Sequence, residues 1–224
     1  MSDTTASDRV AADVLGVVIA GGRSVRFGGE KAAAILAGKP LLMWAVGRLQ
    51  RCCREVAVNA RPDTEAEAIA REAGLTVLHD EAGDAAGPLA GVKVGLIWAQ
   101  EQGARSIAVS PCDVPMLPPD LYPKLIGAAG DGAALAESDE GHQPQCAVWP
   151  VSALPELRAA LSGGQHPATW MMLQKIGAQR VRFPNRDDFA NINTRIDLTD
   201  LSNRLQAQAA LPSQSDDGRP HYQR

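Results

Sequence analysis

The sequence predicts an α/β domain with three doubly wound layers around a mostly parallel sheet, and three observations support this class. Short apolar runs alternate with longer segments of helical period from Val14 onward, as in strands joined by crossover helices. The first run, VLGVVIA, is continuous rather than alternating, as expected of a strand covered on both faces. The 224 residues suffice for one full core, on a scale of roughly 150 residues per domain.

The first half of the chain follows a βαβαβ rhythm. After a glycine-rich loop, helical periodicity predicts a helix with Pro40 in its first turn. Strands are predicted at 14–20, 55–59, 75–78 and 105–110. Helices are predicted at 40–52, 63–73, 88–102 and 119–129.

The pattern becomes weaker after residue 130. AALAE and QCAVW, separated by the turn-rich SDEGHQP, indicate a hairpin, and QRVRF indicates a further strand. Helices are predicted near 153–161 and 168–176. We expect one domain at 14–205, a disordered N-terminus at 1–13, and a disordered tail at 206–224 that lacks an apolar face.

Composition and charge exclude several classes of protein. Hydrophobic residues make up 45% and charged residues 21% of the chain, which excludes disordered, fibrous and coiled-coil proteins. The formal net charge is −4, which argues against a surface built for nucleic acid or anionic lipid. Any anion site must therefore be local.

The sequence also predicts a cytoplasmic protein without a membrane anchor. The segment before the first strand is polar, and the first apolar stretch is far shorter than the ~20 residues that cross a bilayer. The cysteines show neither CxxC spacing nor a spacing typical of disulfide-bonded or zinc-binding proteins, which fits a reducing compartment. The four cysteines are Cys52, Cys53, Cys112 and Cys146. The adjacent pair is expected to pack at a helix end.

The glycine-rich loop AGGRSVRFGGEK, at 20–31, is the most informative segment. It directly follows a buried strand, at the sheet edge where open α/β folds bind ligands. Four glycines allow backbone N–H groups to approach a ligand closely. Three cations, Arg23, Arg26 and Lys31, stand against the single anion Glu30. The loop is therefore predicted to bind phosphate, although it matches neither GxGxxG nor a P-loop.

This loop resembles the AGGxSxRMGxDK signature of nucleotidyltransferases, and within them of the molybdenum cofactor guanylyltransferases. Phe27 stands where that family usually has Met, and Glu30 where it usually has Asp. The resemblance spans about residues 14–200 and implies a Rossmann-like nucleotidyltransferase fold. It also implies the family's reaction, Mg²⁺-dependent transfer of GMP from GTP to the terminal phosphate of molybdenum-carrying molybdopterin, with release of pyrophosphate.

The catalytic residues implied by the resemblance are Arg26, Lys31 and Asp113. Asp113 follows the fourth strand in SPCDVP, on the same sheet edge as the loop, and DxP is the family's metal motif, so Asp113 is assigned to Mg²⁺. Magnesium is typically held by one or two carboxylates plus substrate phosphates. A nucleoside triphosphate carries about −4, which Mg²⁺ with Arg26 and Lys31 offsets. Positioning and electrostatics then suffice, and no side-chain nucleophile is evident.

Further positions contact the nucleotide in the family. Asn59 ends the second strand and Asp80 follows the third; an Asp carboxylate suits the N1–H and N2–H₂ edge of guanine. Either is also a common capping or turn residue. The loop positions assigned to the nucleotide are Ile19, Ala20, Gly21 and Gly22. GPLAG, at 87–91, either brings the N–H groups of a helix start to the nucleotide or packs tightly against the loop.

FANINT, at 189–194, followed by Asp197, resembles the family's FxNxNTPxDL motif. Asn191 and Asn193 are two residues apart, so on an extended segment both amides face one way. The family gives them to the acceptor side, the pterin or its phosphate. Arg195 replaces the usual Pro, which makes this segment less rigid and adds a cation.

Two alternatives remain open from the sequence. The same chemistry with CTP would give the cytosine dinucleotide, but relatives of that type usually read AAG where this chain has AGG at 20–22. A non-catalytic carrier of nucleotide or cofactor would tolerate loss of Asp113, which this chain keeps. The expected partners are the small molecules GTP and molybdopterin, with transient contact to molybdoenzymes or their chaperones, and neither nucleic acid nor membrane.

Overall fold

The computed structural model describes residues 13–22, 27–84 and 87–210 of the chain. Arg23 and Arg26 therefore lie outside the described residues, as do residues 1–12 of the N-terminus predicted to be disordered at 1–13 and residues 211–224 of the tail predicted to be disordered at 206–224. Among the helices of the described ranges, none combines the length and apolarity needed to cross a membrane.

The predicted helices and strands are present with their ends within three residues, except that the strand Gly141–Pro150 begins four residues earlier than predicted; the strands Ile35–Leu36 and Lys39–Pro40 and the helix Arg195–Ala210 were not predicted. The strands are β1 (Val14–Ile19), β2 (Ile35–Leu36), β3 (Lys39–Pro40), β4 (Val56–Asn59), β5 (Thr76–Leu78), β6 (Ser106–Pro111), β7 (Ala134–Ser138), β8 (Gly141–Pro150) and β9 (Gln179–Arg182). The α-helices are α1 (Leu41–Leu49), α2 (Glu65–Glu72), α3 (Pro88–Glu101), α4 (Leu121–Ala129), α5 (Leu154–Leu161), α6 (Thr169–Lys175) and α7 (Arg195–Ala210).

One seven-stranded sheet organises the domain, in the order β5-β4-β1-β6-β8-β7-β9. The four strands β5, β4, β1 and β6 are parallel to one another. β8 is antiparallel to both β6 and β7, and β9 is parallel to β7. The prediction of a mostly parallel sheet is confirmed. Because β1 lies between β4 and β6, its carboxyl end opens between the ends of these two strands, where a ligand site is expected.

Helices cover both faces of the sheet, which explains the continuous apolar run of β1. Leu15 and Val17 pack in a core with α3, α5 and α6. Val14 and Val18 pack on the opposite face with α1, α2 and α4. A third, smaller cluster joins α7 to the β2–β3 hairpin and to the end of the glycine-rich loop; its buried members are Phe27, Leu36, Leu41, Ile192 and Leu201.

Three local features differ from the sequence prediction. Pro40 does not open α1 but pairs with Ile35 in the β2–β3 hairpin, whose turn places Ala37 at a φ of 48°; strands of two residues are too short to show a period. The predicted turn SDEGHQP is mostly strand, because Gly141, at a φ of 112°, closes the β7–β8 turn directly after two residues. α7 continues to Ala210, past the predicted domain end at residue 205.

Candidate active site

A cavity of about 610 Å³ opens at the carboxyl ends of β1, β4 and β6. Most of the predicted site residues line it, namely Ile19, Ala20, Gly21, Gly22, Lys31, Asn59, Asp80, Asp113 and Asn193. These residues come from five separate parts of the chain, and the parallel strands bring four of those parts to one edge. The cavity is therefore the candidate active site.

Lys31 is at the centre of the polar contacts in this cavity. Its Nζ donates to Oδ2 of Asp113 at 2.7 Å and to Oδ1 of Asn193 at 3.2 Å. The side chains of Lys31 and Asp113 are 15% and 20% exposed. The backbone carbonyl of Asp113 also accepts from the N–H of Ile192 at 2.9 Å. The glycine-rich loop, the end of β6 and the NINT segment are thus joined at one point.

Glu30, which stands where the family usually has Asp, anchors the end of the loop to α2. Its Oε2 accepts a hydrogen bond from the backbone N–H of Ala66 at 3.0 Å. Ala66 lies in the first turn of α2, where N–H groups have no partner within the helix. The extra methylene of Glu supplies the reach for this contact, so the departure from the family signature has a structural reason.

The donor set around Asp113 suits magnesium. Magnesium prefers oxygen ligands and is commonly held by one or two carboxylates together with substrate phosphates. Within the described residues, no cluster of three or more His, Cys, Asp or Glu side chains offers an all-protein metal cage. Burial, reinforced by the charge of Asp113, raises the pKa of the neighbouring Cys112 thiol to about 12, so this sulfur stays protonated. The remaining candidate ligand is the single carboxylate of Asp113, beside the glycine-rich loop.

Asn59 holds the side chain of Asp80 in place through a hydrogen bond. The Asn59 side chain, in a residue that is 3% exposed, donates through Nδ2 to Oδ1 of Asp80 at 2.8 Å and to the carbonyl of Leu78 at 3.2 Å. Asp80 itself is exposed at the cavity. The sequence predicted both side chains as nucleotide contacts, whereas the structure shows that Asn59 also orients the Asp80 carboxylate.

Asn191 is not brought to the cavity with Asn193. The two amides were predicted to face one way on an extended segment, but Asn191 is exposed and is absent from the cavity lining. The chain turns here because Oδ2 of Asp197 accepts from the N–H groups of Asn193 and Thr194, both at 2.8 Å. Thr194 in turn accepts from the N–H of Asp197 at 3.1 Å, which completes a capping box at the start of α7.

This capping box predicts a pH-dependent stability. The two backbone hydrogen bonds lower the pKa of Asp197, so its stabilisation is present above the unfolded-state pKa of about 3.9 and is lost as pH falls through the folded value. Asp197→Ala is expected to lower the melting temperature at pH 7 but to have little effect near pH 2. Asp200→Ala, on the exposed side of α7, is the control. Thermal unfolding across pH 2–7 checks this, and a pH-independent difference would contradict it.

The GPLAG segment borders the cavity and is also tightly packed. Gly87 and Pro88 line the cavity at the start of α3. The same helix start is tightly packed, because Nε2 of His166 accepts from the N–H of Leu89 at 3.3 Å. An ideal Cβ on Gly91 would lie 2.3 Å from Oδ1 of Asn59, so α3 approaches β4 as closely as only glycine allows.

Gly91→Ala is therefore expected to destabilise the protein by about 1–3 kcal/mol through overpacking. The new methyl group would meet Asn59, which cannot yield because its amide is already bonded, and would lie 2.7 Å from Cδ1 of Ile19. Gly127→Ala is the matched control: it also lies in a helix, and nothing lies within 4 Å of its Cβ position. That change should stabilise by about 0.5–1 kcal/mol. Denaturant unfolding measures both, and equal effects would contradict the close approach.

Sequence reasoning missed several residues of the site. Arg61 and Gln145 line the cavity. Arg61 lies two residues beyond β4, a position that the strand-edge rule could have flagged, whereas Gln145 lies inside β8 and carries no local signal.

Lys93, which is 6% exposed, contacts Asp84 at 2.6 Å and Glu81 at 2.8 Å, which fixes the segment after Asp80 against α3. Burial opposes the charge of Lys93, but these contacts outweigh it and raise its pKa.

Known proteins resemble this chain over most of its length. The model of the MobA-like NTP transferase domain matches residues 16–179. A molybdenum cofactor guanylyltransferase of Cereibacter sphaeroides is 38% identical over 200 residues, which cover 88% of this chain and 99% of the relative. One from Yersinia pestis is 35% identical over 188 residues, which cover 83% of this chain and 93% of the relative.

A solved structure agrees with the sequence relatives. Molybdopterin-guanine dinucleotide biosynthesis protein A from Archaeoglobus fulgidus superposes with a TM-score of 0.68 at 23% identity, over 86% of this chain and 99% of that chain. At this identity the superposition shows the shared fold alone. The domain match and the relatives that align almost end to end show more: this chain belongs to the MobA-like NTP transferase family and is a nucleotidyltransferase, as the resemblance of its glycine-rich loop implies.

Proposed function

We propose that the protein transfers GMP from GTP to the terminal phosphate of molybdopterin carrying molybdenum. The relatives named molybdenum cofactor guanylyltransferase support this assignment. The observation that carries the chemistry is the convergence of Lys31, Asp113 and Asn193 in one cavity beside the glycine-rich loop. A donor nucleotide and a phosphate acceptor would meet at this point.

The reaction requires charge stabilisation rather than a side-chain nucleophile. An oxygen of the acceptor phosphate attacks the α-phosphorus of GTP, the bond from that phosphorus to the bridging oxygen breaks, and pyrophosphate departs with the bonding electrons. The ammonium group of Lys31 would stabilise the negative charge on the departing pyrophosphate. Arg26, which lies outside the described residues, is proposed to share this role.

The glycines of the loop leave room for the triphosphate. No atom of the described chain lies within 4 Å of the Cβ position of Gly22, and that of Gly21 has only Oδ1 of Asn59 at 3.7 Å. Backbone N–H groups here can approach phosphate oxygens closely. Asp113 would hold Mg²⁺ together with those phosphates. When bound, the ion would supply positive charge beside the reacting phosphate.

The guanine base is assigned to the Asp80 side of the cavity. Because Asn59 fixes one carboxylate oxygen of Asp80, the group presents acceptors in a defined direction. The N1–H and N2–H₂ edge of guanine offers two donors to such a group. Asn193, which contacts Lys31 from the opposite segment, is assigned to the acceptor phosphate. We place the reaction in the cytoplasm, where molybdoenzymes or their chaperones would receive the product.

Pyrophosphate release with each nucleotide tests this function. Purified protein is incubated with Mg²⁺, with GTP or CTP, and with or without molybdenum-loaded molybdopterin. We expect release with GTP only when the acceptor is present, and loss of release when EDTA removes the metal. Turnover with CTP but not GTP would replace the guanylyl assignment with the cytidylyl one. Tight GTP binding without release would favour the non-catalytic carrier.

A further inference from the structure

Two of the departures from the family signatures meet in the folded chain. The guanidinium carbon of Arg195 lies 5.4 Å from the centroid of the Phe27 ring. An ideal Cβ on Gly29 would lie 3.6 Å from Nη2 of Arg195, so the guanidinium also borders the loop backbone. The usual Met and Pro could not form this contact, because Met has no aromatic face and Pro carries no cation.

The Phe27 ring connects the glycine-rich loop to the acceptor side. It is 3% exposed and lines the cavity. The ring belongs to the small cluster that includes Ile192 of the NINT segment and Leu201 of α7. Arg195, the first residue of α7, lies over the same ring. The loop end and the segment that carries Asn193 thus pack in one cluster.

The helix itself gives no reason for a cation at this position. A helix N-terminus carries positive partial charge, so a positively charged residue in the first turn is unfavourable there. Asp197 supplies the favourable anion of that turn. Arg195 therefore has an electrostatic cost in α7, and its contact with Phe27 is the interaction that offsets this cost.

We propose that Arg195 is a positioning residue that transmits nucleotide binding to the acceptor segment. It holds the Phe27 end of the loop against the start of α7, two residues beyond Asn193. Lys31 and Asn193 are in direct contact at 3.2 Å, so a triphosphate that holds residues 27–31 in place also positions Asn193 for a phosphate monoester acceptor. The proposal rests on the proposed function, because it takes its two substrates from there.

Amide hydrogen exchange with Mg²⁺ and GTP, without acceptor, tests the transmission. In the wild type we expect GTP to slow exchange in both 27–31 and 191–195. In Arg195→Ala the protection of 27–31 should remain, while that of 191–195 should fall by about threefold or more, in line with the strength of one cation–π contact. Arg204→Ala, at an exposed position of the same helix, is the control and should behave as wild type. Equal protection of 191–195 in Arg195→Ala would overturn the proposal.

Two further measurements separate this proposal from the proposed function. Arg195→Ala should raise the KM for the acceptor about threefold to tenfold with the KM for GTP within about twofold, and Arg195→Lys should restore part of the loss. Equal changes in both KM values would indicate a merely structural role and overturn the proposal. If the wild type binds no GTP, the proposed function fails. A double-mutant cycle of Phe27→Met and Arg195→Ala, measured by the free energy of unfolding, still tests whether the two side chains interact. Additive effects in that cycle would overturn the proposal about Arg195.

Discussion

Asp113→Ala is expected to slow GMP transfer by about a hundredfold or more, while GTP binding stays within about tenfold of wild type. Asp113 is the carboxylate proposed to hold the metal ion, so its loss removes charge stabilisation where the bonds change. Binding suffers less because removal of a carboxylate 2.7 Å from Lys31 also removes negative charge near the triphosphate. Single-turnover transfer rates and equilibrium titration with GTP separate the two effects.

Matched variants make this result specific to the carboxylate. Asp113→Asn keeps the shape and one oxygen but loses the charge, and should be nearly as slow as the alanine variant. Asp131→Ala removes a carboxylate that is 86% exposed and pairs with Arg105 on the surface; it should leave the rate unchanged. Product formation at the wild-type rate by Asp113→Ala would exclude this residue from catalysis.

The sequence predicted the fold and the position of the site because both follow from strand order. Parallel strands place their carboxyl ends on one edge, so the residues after β1 and β6 had to lie together, and Lys31 does contact Asp113. The apolar run of β1 likewise required cover on both faces. The sheet edge and the covered strand follow from strand direction and hydrophobic periodicity, and both can be predicted from a single sequence.

The details that the sequence could not predict depend on contacts between distant residues. Asn191 and Asn193 have the same spacing as any exposed pair on a strand, and only the hydrogen bonds of Asp197 turn one of them away from the other. The role of Asn59 as the support of Asp80 depends on side-chain direction. The contact of Arg195 with Phe27 joins residues at opposite ends of the domain sequence, for which local patterns carry no information.

Lys31→Ala is expected to weaken GTP binding by about tenfold or more and to slow transfer as well. The variant loses a hydrogen bond between two charged groups, the lysine ammonium and a phosphate. GMP binding should change by less than about threefold, because the lysine is assigned to the β- and γ-phosphates that GMP lacks. The loss is increased because Asp113 then faces the triphosphate without its ammonium partner. Titration with GTP and GMP measures the difference, and equal loss for both nucleotides would place Lys31 elsewhere in the site.

The coupling between Lys31 and Asp113 gives this prediction its strongest test. Lys175→Ala, which removes a surface lysine paired with Glu156, is the control and should leave both affinities unchanged. In the double variant of Lys31→Ala and Asp113→Ala, GTP affinity measured without Mg²⁺ should be higher than in Lys31→Ala alone, because the carboxylate repels the triphosphate when no ion lies between them. The transfer rate should not recover, because Asp113 is proposed to hold the metal ion whether or not Lys31 is present. Recovery of affinity without recovery of rate would separate the binding role of Lys31 from the catalytic role of Asp113.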